Sequence, residues 1–292
     1  MTSGANHSLA FECHGTIVGV QSDDATLLAL VRRRLPPGAR LCEAAHVDVS
    51  YSSRMDGDDP RSTSPPWVVR VHGASDRISR EIARTADVHA AAALLAHDAE
   101  FLVALHAPHH LFIHAAAVAW EGRVIVIPGP SHSGKSTLAA ALVRAGAHYY
   151  SDEYAVLDDA GRVHPFARRL RLRGADGASF TDVHAAELGG TTGSESLPLG
   201  MVVSTSFRDG ARWRPRRMTP GQTALALLRN AVVARTRPAH ALERVARATQ
   251  DGPLGLRGPR GDADDAARRL LDRASGARAR PRAPSRARAI AR

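Results

Sequence analysis

The sequence predicts an α/β fold in which a phosphate-loop domain follows an N-terminal α+β segment, and three observations carry that prediction. Residues Gly129-Pro130-Ser131-His132-Ser133-Gly134-Lys135-Ser136 form a complete G-x-x-x-x-G-K-[ST] pattern. Before it runs Val124-Ile125-Val126-Ile127, apolar throughout, as in a parallel strand buried on both faces. After it, Lys135 to Ala145 reads as a helix, with Leu138 and Leu142 one turn apart and Gly146 placed to end it. Strand, loop and helix together aim backbone N–H groups at one point, where a phosphate is held.

The chain has 292 residues, with 39 Lys plus Arg, yet Lys135 is its only lysine. Every other basic residue is arginine, and the exception occupies the slot that needs a compact ammonium. A Ras-like GTPase is disfavoured, because its guanine-reading motif needs a second lysine. Adenine nucleotide is the better match, and an ordinary protein-kinase fold lacks its Val-Ala-Ile-Lys context here.

A hydrophobic content of 44% fits a globular chain long enough for a substantial core. No run approaches the roughly 18 apolar residues of a membrane span, and residues 1–10 lack a signal pattern, so a cytoplasmic location is expected. The net charge of +10 suggests nucleic acid, but six arginines lie in the Ala/Arg/Pro tail at 276–292, expected to be disordered. Specific nucleic-acid binding is therefore disfavoured. Cys13 and Cys42 lie apart from any His/Cys cluster and are expected to be buried apolar side chains.

Three regions are expected: an N-terminal α+β segment at 1–106, suited to substrate or partner recognition, the phosphate-loop domain at 107–275, and the tail. In the first, Leu9 to Val20 contains strand-like runs, Asp24 to Leu35 a helix capped by the aspartate, and His46 to Tyr51 a half-buried strand. Arg54 to Pro66 reads as a mobile loop, followed by a strand at Trp67 to His72. Ala86 to His97 reads as an alanine-rich helix, and Phe101 to Leu105 and Leu111 to Ala119 as strands. Beyond the loop helix come strands at Ala147 to Ser151 and Tyr154 to Leu157, the latter entering a turn at Asp158-Asp159-Ala160-Gly161. Thr219-Pro220-Gly221-Gln222 opens a helix, and Gly261 to Ala274 forms another with acids first and arginines later.

The nucleotide-binding residues are expected to be Gly129 to Ser136, with Thr137. Ser136 supplies a hydroxyl to Mg²⁺, and an acidic group must lie nearby. Asp152-Glu153 ends a strand, where ligand-facing groups gather, whereas Asp158-Asp159 suits a solvated turn. Arg169, Arg171 and Arg173 share one face of a strand; they either hold phosphates or an acidic substrate segment, or form a solvated face. Arg208, Arg212, Arg214, Arg216 and Arg217, around Trp213, are further candidates for stabilising charge. His106, His109 and His110 have no carboxylate or cysteine at ligand spacing and are not expected to bind metal.

These residues resemble the HPr kinase/phosphorylase family and its relatives, whose phosphate-loop domain is akin to that of PEP carboxykinases. The resemblance covers roughly residues 110–274. It rests on His114 before the loop, the loop itself, Asp152-Glu153 after it, and the Pro220-Gly221 step. It implies an ATP- and Mg²⁺-dependent kinase acting on a serine of a peptide or protein, including ribosomal natural-product precursors of the lasso type. Asp152 or Glu153 would be the base, with Asp152 also a metal ligand, and His114 and Lys135 would complete the catalytic group. The family's Glu-Ile-Arg-Gly signature is replaced here by Arg171-Leu172-Arg173-Gly174, which removes a second metal ligand. The resemblance also allows a homo-oligomer. A nucleotide switch acting through a partner and a small-molecule kinase are the alternatives.

Overall fold

The computed structural model describes residues 7–55, 67–73, 79–174 and 178–278. It is a mixed α/β structure built on two main sheets. The mobile loop expected at 54–66 and the tail expected at 276–292 fall mostly outside the described residues.

The chain begins with a hairpin of β1 (His7–Cys13) and β2 (Thr16–Ser22), followed by α1 (Ala25–Arg32). Asp24 caps that helix through the Thr26 N–H, as its sequence position predicts. Next come β3 (Arg40–Leu41), β4 (Val49–Met55), β5 (Trp67–Gly73), β6 (Ser79–Thr85) and α2 (Val88–His106). The six strands are ordered β3-β1-β2-β4-β5-β6, with β2 and β4 parallel. Helices α1 and α2 pack on this sheet. Their shared core of Leu27, Tyr51, Val69 and Leu95 also includes Phe112 and Tyr154 from the second sheet and Phe166 from a connecting segment.

Three expectations for this region are corrected. The strand expected at Phe101 to Leu105 is the last turns of α2, because no breaker separates it from the alanine-rich stretch before Ala107-Pro108. The β6 strand was missed; its charged run Ser79-Arg80-Glu81 pairs at the sheet edge and alternates weakly. Strand β4 starts at Val49, three residues later than expected at His46. Helix α2 is long and apolar enough to cross a membrane by length and composition. Here Ala91, Leu95, Ala99 and Val103 are buried, while Asp98 and Glu100 carry ion pairs.

The second sheet contains β7 (Leu111–Trp120), β8 (Arg123–Pro128), β9 (His148–Ser151), β10 (Tyr154–Leu157) and β11 (Arg162–His164). After the hairpin β12 (Leu170–Arg173) and β13 (Phe180–Val183), the sheet resumes with β14 (Leu197–Phe207), β15 (Arg216–Arg217) and β16 (Leu254–Arg260). Its order is β11-β10-β7-β8-β14-β16-β15; β9 pairs with β7, and β11 also meets β14, closing part of the sheet on itself. Strand β8 is buried on both faces, as its apolar run predicts. It is parallel to β14 but antiparallel to β7, so the sheet is mixed.

Helix α3 (Lys135–Arg144) follows the loop, and α6 (Ala263–Arg278) packs beside it over Ile125, Ile127, Met201 and Val203. Helices α4 (Pro220–Leu228) and α5 (Pro238–Thr249) pack together with Val124, Val126 and Val202. The Thr219–Gln222 capping box is complete. Asp158 to Gly161 forms the β10–β11 turn, and a Cβ on Gly161 would stand 2.6 Å from the Ala248 nitrogen. The Asp158 carboxylate accepts from the Ala160 and Arg162 N–H groups and meets His164 at 2.8 Å, so it serves the turn. Cys13 is buried, and burial pushes its thiol up to about 12; Cys42 is only half-buried, because β3 lies at the sheet edge.

Candidate nucleotide and phosphoryl-transfer site

The loop's geometry follows from its glycines. Gly134 lies at φ +87°, where L side chains are strained, and an added Cβ would stand 2.6 Å from Nη2 of Arg260. His132 also has positive φ, at +65°. No side chain caps α3, so its first N–H groups are left for an external acceptor. Lys135 is 7% exposed, and its Nζ donates to the carbonyls of Gly129 and Pro130 at 2.9 Å each. Burial lowers its pKa, opposed by the charges of Glu153 and Asp152. Ser133 Oγ is buried without a hydrogen-bond partner.

A cavity of about 1070 Å³ opens beside this loop, lined by Gly134, Lys135, Ser136 and Thr137. Phe180, Phe207, Asp209 and Asp262 also line it. The guanidinium carbons of Arg171 and Arg173 sit 4.9 and 5.4 Å from the Phe180 ring centre. Arg173 also reaches His132 Nδ1 at 2.7 Å. Of the arginine row, Arg171 and Arg173 therefore line the cavity, while Arg169 precedes β12 and does not line it.

The acidic pair occupies the tight turn between β9 and β10, where Ser151 Oγ accepts from the Glu153 and Tyr154 N–H groups. Asp152 is 4% exposed; one oxygen accepts from the Tyr149 hydroxyl at 2.9 Å and the other from the Arg171 N–H at 3.0 Å. Glu153 is more open, and its Oε1 lies 3.3 Å from His114 Nε2. The backbone reinforces this approach, because the Ala115 N–H donates to the Glu153 carbonyl. Burial acts to raise the Glu153 pKa, but the His114 hydrogen bond and the charges of His114, Arg168 and Lys135 outweigh it. The carboxyl is thus held below its ordinary value and is ionised at neutral pH.

Three residues of this site went unmarked in the sequence. Arg168 pairs with Glu100 of α2 at 2.6 Å and places positive charge near Asp152 and Glu153. Burial raises the Glu100 pKa, with Arg168 opposing. Arg260, 2% exposed, donates to the Gly134 and Gly261 carbonyls at 2.7 and 3.0 Å and lies under the loop. Both arginines act across long sequence separations that no local pattern marks. A Pro259-Arg260-Gly261 step at a helix start is the only hint, and it is weak.

Other sequence candidates sit elsewhere. His110 stacks on His14 and His164, and His109 faces Asp159 at 3.6 Å. Among the described residues, no group of three or more His, Cys, Asp or Glu side chains is arranged to hold a metal. Ser136 and Asp152 carry oxygen donors of the kind Mg²⁺ takes, and each Asp152 oxygen keeps a lone pair beyond its hydrogen bond.

No protein-family model matches the chain, and no curated protein matches it. Among solved structures it is similar to the HPr(Ser) kinase/phosphatase from Coxiella burnetii, at 13% identity and a TM-score of 0.32. That match covers 57% of this chain and 97% of the other. The likeness is distant in both sequence and shape.

Proposed function

We propose that the protein is an ATP- and Mg²⁺-dependent phosphotransferase acting on a serine of a peptide or protein. The observation that carries this reading is the joining, around one phosphate loop, of the sole lysine with an ionised Glu153 held by His114. The cavity offers two exposed aromatic faces, Phe180 and Phe207, for a base, and Asp209 and Asp262 for ribose hydroxyls. Uncapped amides of α3, the unpartnered Ser133 hydroxyl and the Lys135 ammonium suit the phosphates.

In the transfer, the serine oxygen bonds to the γ-phosphorus as the bond from that phosphorus to the β,γ-bridging oxygen breaks. ADP leaves with that electron pair, and the hydroxyl proton passes to Glu153. His114, carrying its proton on Nε2, donates to Oε1 and positions the carboxylate. Lys135 balances charge on the phosphates, and Arg168 keeps Glu153 ionised until the proton arrives. Ser136 and Asp152 would hold Mg²⁺, which would supply positive charge against the terminal phosphates.

Glu153 is assigned as the base in preference to Asp152, because both Asp152 oxygens already accept hydrogen bonds that hold the fold. A Glu153→Gln protein is expected to lose about 10²–10⁴-fold in transfer rate while binding a fluorescent ATP analogue normally. A normal transfer rate in that variant would remove Glu153 from the mechanism.

A further inference from the structure

Two smaller cavities share residues beside Gly129 and Pro130, and neither shares a lining residue with the larger cavity. One, of about 360 Å³, is lined by Gly129, Pro130, Leu225, Arg229, Asn230 and Arg257. The other, of about 640 Å³, shares Ser204, Thr205 and Arg257 with it and adds Arg214 and Arg216. They form one groove at the carboxyl ends of β8, β14 and β16.

No acidic residue lines either cavity. Arg214, Arg216, Arg229 and Arg257 are all exposed. Among the described residues, none of their guanidinium groups is in an ion pair. The arginines that do have carboxylate partners, such as Arg144, Arg168 and Arg244, lie elsewhere. The groove touches the catalytic residues through the backbone: the His114 N–H donates to the Asn230 carbonyl at 2.8 Å, and the His114 carbonyl faces the Gly129 N–H.

We infer that this groove binds an acidic segment of the acceptor peptide and delivers the neighbouring serine to the phosphate loop. The inference rests on the phosphotransferase reading above and names its substrate class. Four unpaired guanidinium groups favour carboxylates that arrive with the partner. The apolar floor of Met218, Leu225 and Ala226, with Leu225 42% exposed, suits an aliphatic side chain between the acids. An RNA strand fits less well, since no aromatic side chain lines the groove to stack a base.

The test is fluorescence anisotropy without ATP, using a labelled Asp/Glu-rich peptide with one serine and one leucine, against a peptide of equal length with Gln and Asn in place of the acids. The acidic peptide is expected to bind at least tenfold tighter, and Arg229→Glu and Arg257→Glu are each expected to weaken it about tenfold. Both variants should bind a fluorescent ATP analogue normally, which shows that they fold. Arg229→Gln and Arg257→Gln, as milder changes, should lose affinity by a smaller factor. Equal affinity for the two peptides, unchanged affinity in both charge-reversed variants, or displacement by an equally charged uridine oligomer at the same concentration would overturn the inference. Acidic-peptide binding without phosphorylation on adding Mg²⁺ and ATP would uphold the groove and refute the transfer chemistry.

Discussion

Asp152 is expected to hold the site together, and replacing it separates that role from its charge. In Asp152→Ala, the Tyr149 hydroxyl, on a residue 1% exposed, and the Arg171 N–H lose their acceptor. The buried Tyr149 hydroxyl left unpaired costs about 1–3 kcal/mol, the part-buried Arg171 N–H adds less because Arg171 itself is exposed, and release of the buried carboxylate offsets part of the sum, so a loss of about 2 kcal/mol is expected. In Asp152→Asn, the amide oxygen still accepts from the Arg171 N–H and the amide nitrogen donates to the Tyr149 oxygen. That variant should cost about 1 kcal/mol. Urea denaturation monitored by tryptophan fluorescence measures both. ATP affinity should fall further in the alanine protein, because the Asp152 bond anchors the strand that holds Arg171 against Phe180. Equal stabilities for the two variants, or an alanine protein within about 0.5 kcal/mol of the parent, would refute the reasoning.

Two further outcomes follow from the geometry. Gly134→Ala places a Cβ against a buried Arg260 and strains a backbone at φ +87°, so ATP affinity is expected to drop at least tenfold; Gly189→Ala, strained alike at φ +75° but outside the cavity and with nothing within 4 Å of its Cβ, should leave it unchanged. Titration of ATP into both proteins by calorimetry checks this pair. Burial, with the nearby His110 and His164, lowers the His14 pKa from 6.5 to about 4. The unfolded chain therefore takes up this proton first as pH falls. The stability contribution is complete above pH 6.5 and is lost progressively down to about pH 4, by about 3 kcal/mol in all. Urea midpoints across that window should show the slope. His14→Asn, which tolerates the positive φ of 51°, should flatten it.

The strand, glycine loop and helix around Lys135 were legible because their determinants are local: two glycines, a lysine and a hydroxyl between an apolar run and a leucine-spaced helix. Asp24 and Thr219 were legible as caps for the same reason. The strand at Ser79–Thr85 was not, since an edge strand pairs on one side and carries charges that mask alternation. Helix α2 was cut short because Phe101-Leu102-Val103 has the composition of a buried strand, and only its packing on the first sheet shows the helix continuing. In the site, Arg171 and Arg173 were readable as a row, but that Arg169 falls outside it depends on where the hairpin starts. Arg168 with Glu100 and Arg260 with Gly134 join residues 68 and 126 positions apart, a distance over which sequence pattern carries no signal. In the arginine groove, Arg214 and Arg216 were marked by their local cluster around Trp213, but Arg229 and Arg257 join them only through the fold.

The central claim is phosphoryl transfer to a serine, and incubation with Mg²⁺ and terminally labelled ATP tests it most directly. The purified protein and its Lys135→Ala variant would be compared on acidic serine peptides and on host extract. Label is expected on serine of a peptide or protein, present with the parent and absent with the variant. Lysine-dependent release of free phosphate, with no labelled serine, would contradict it.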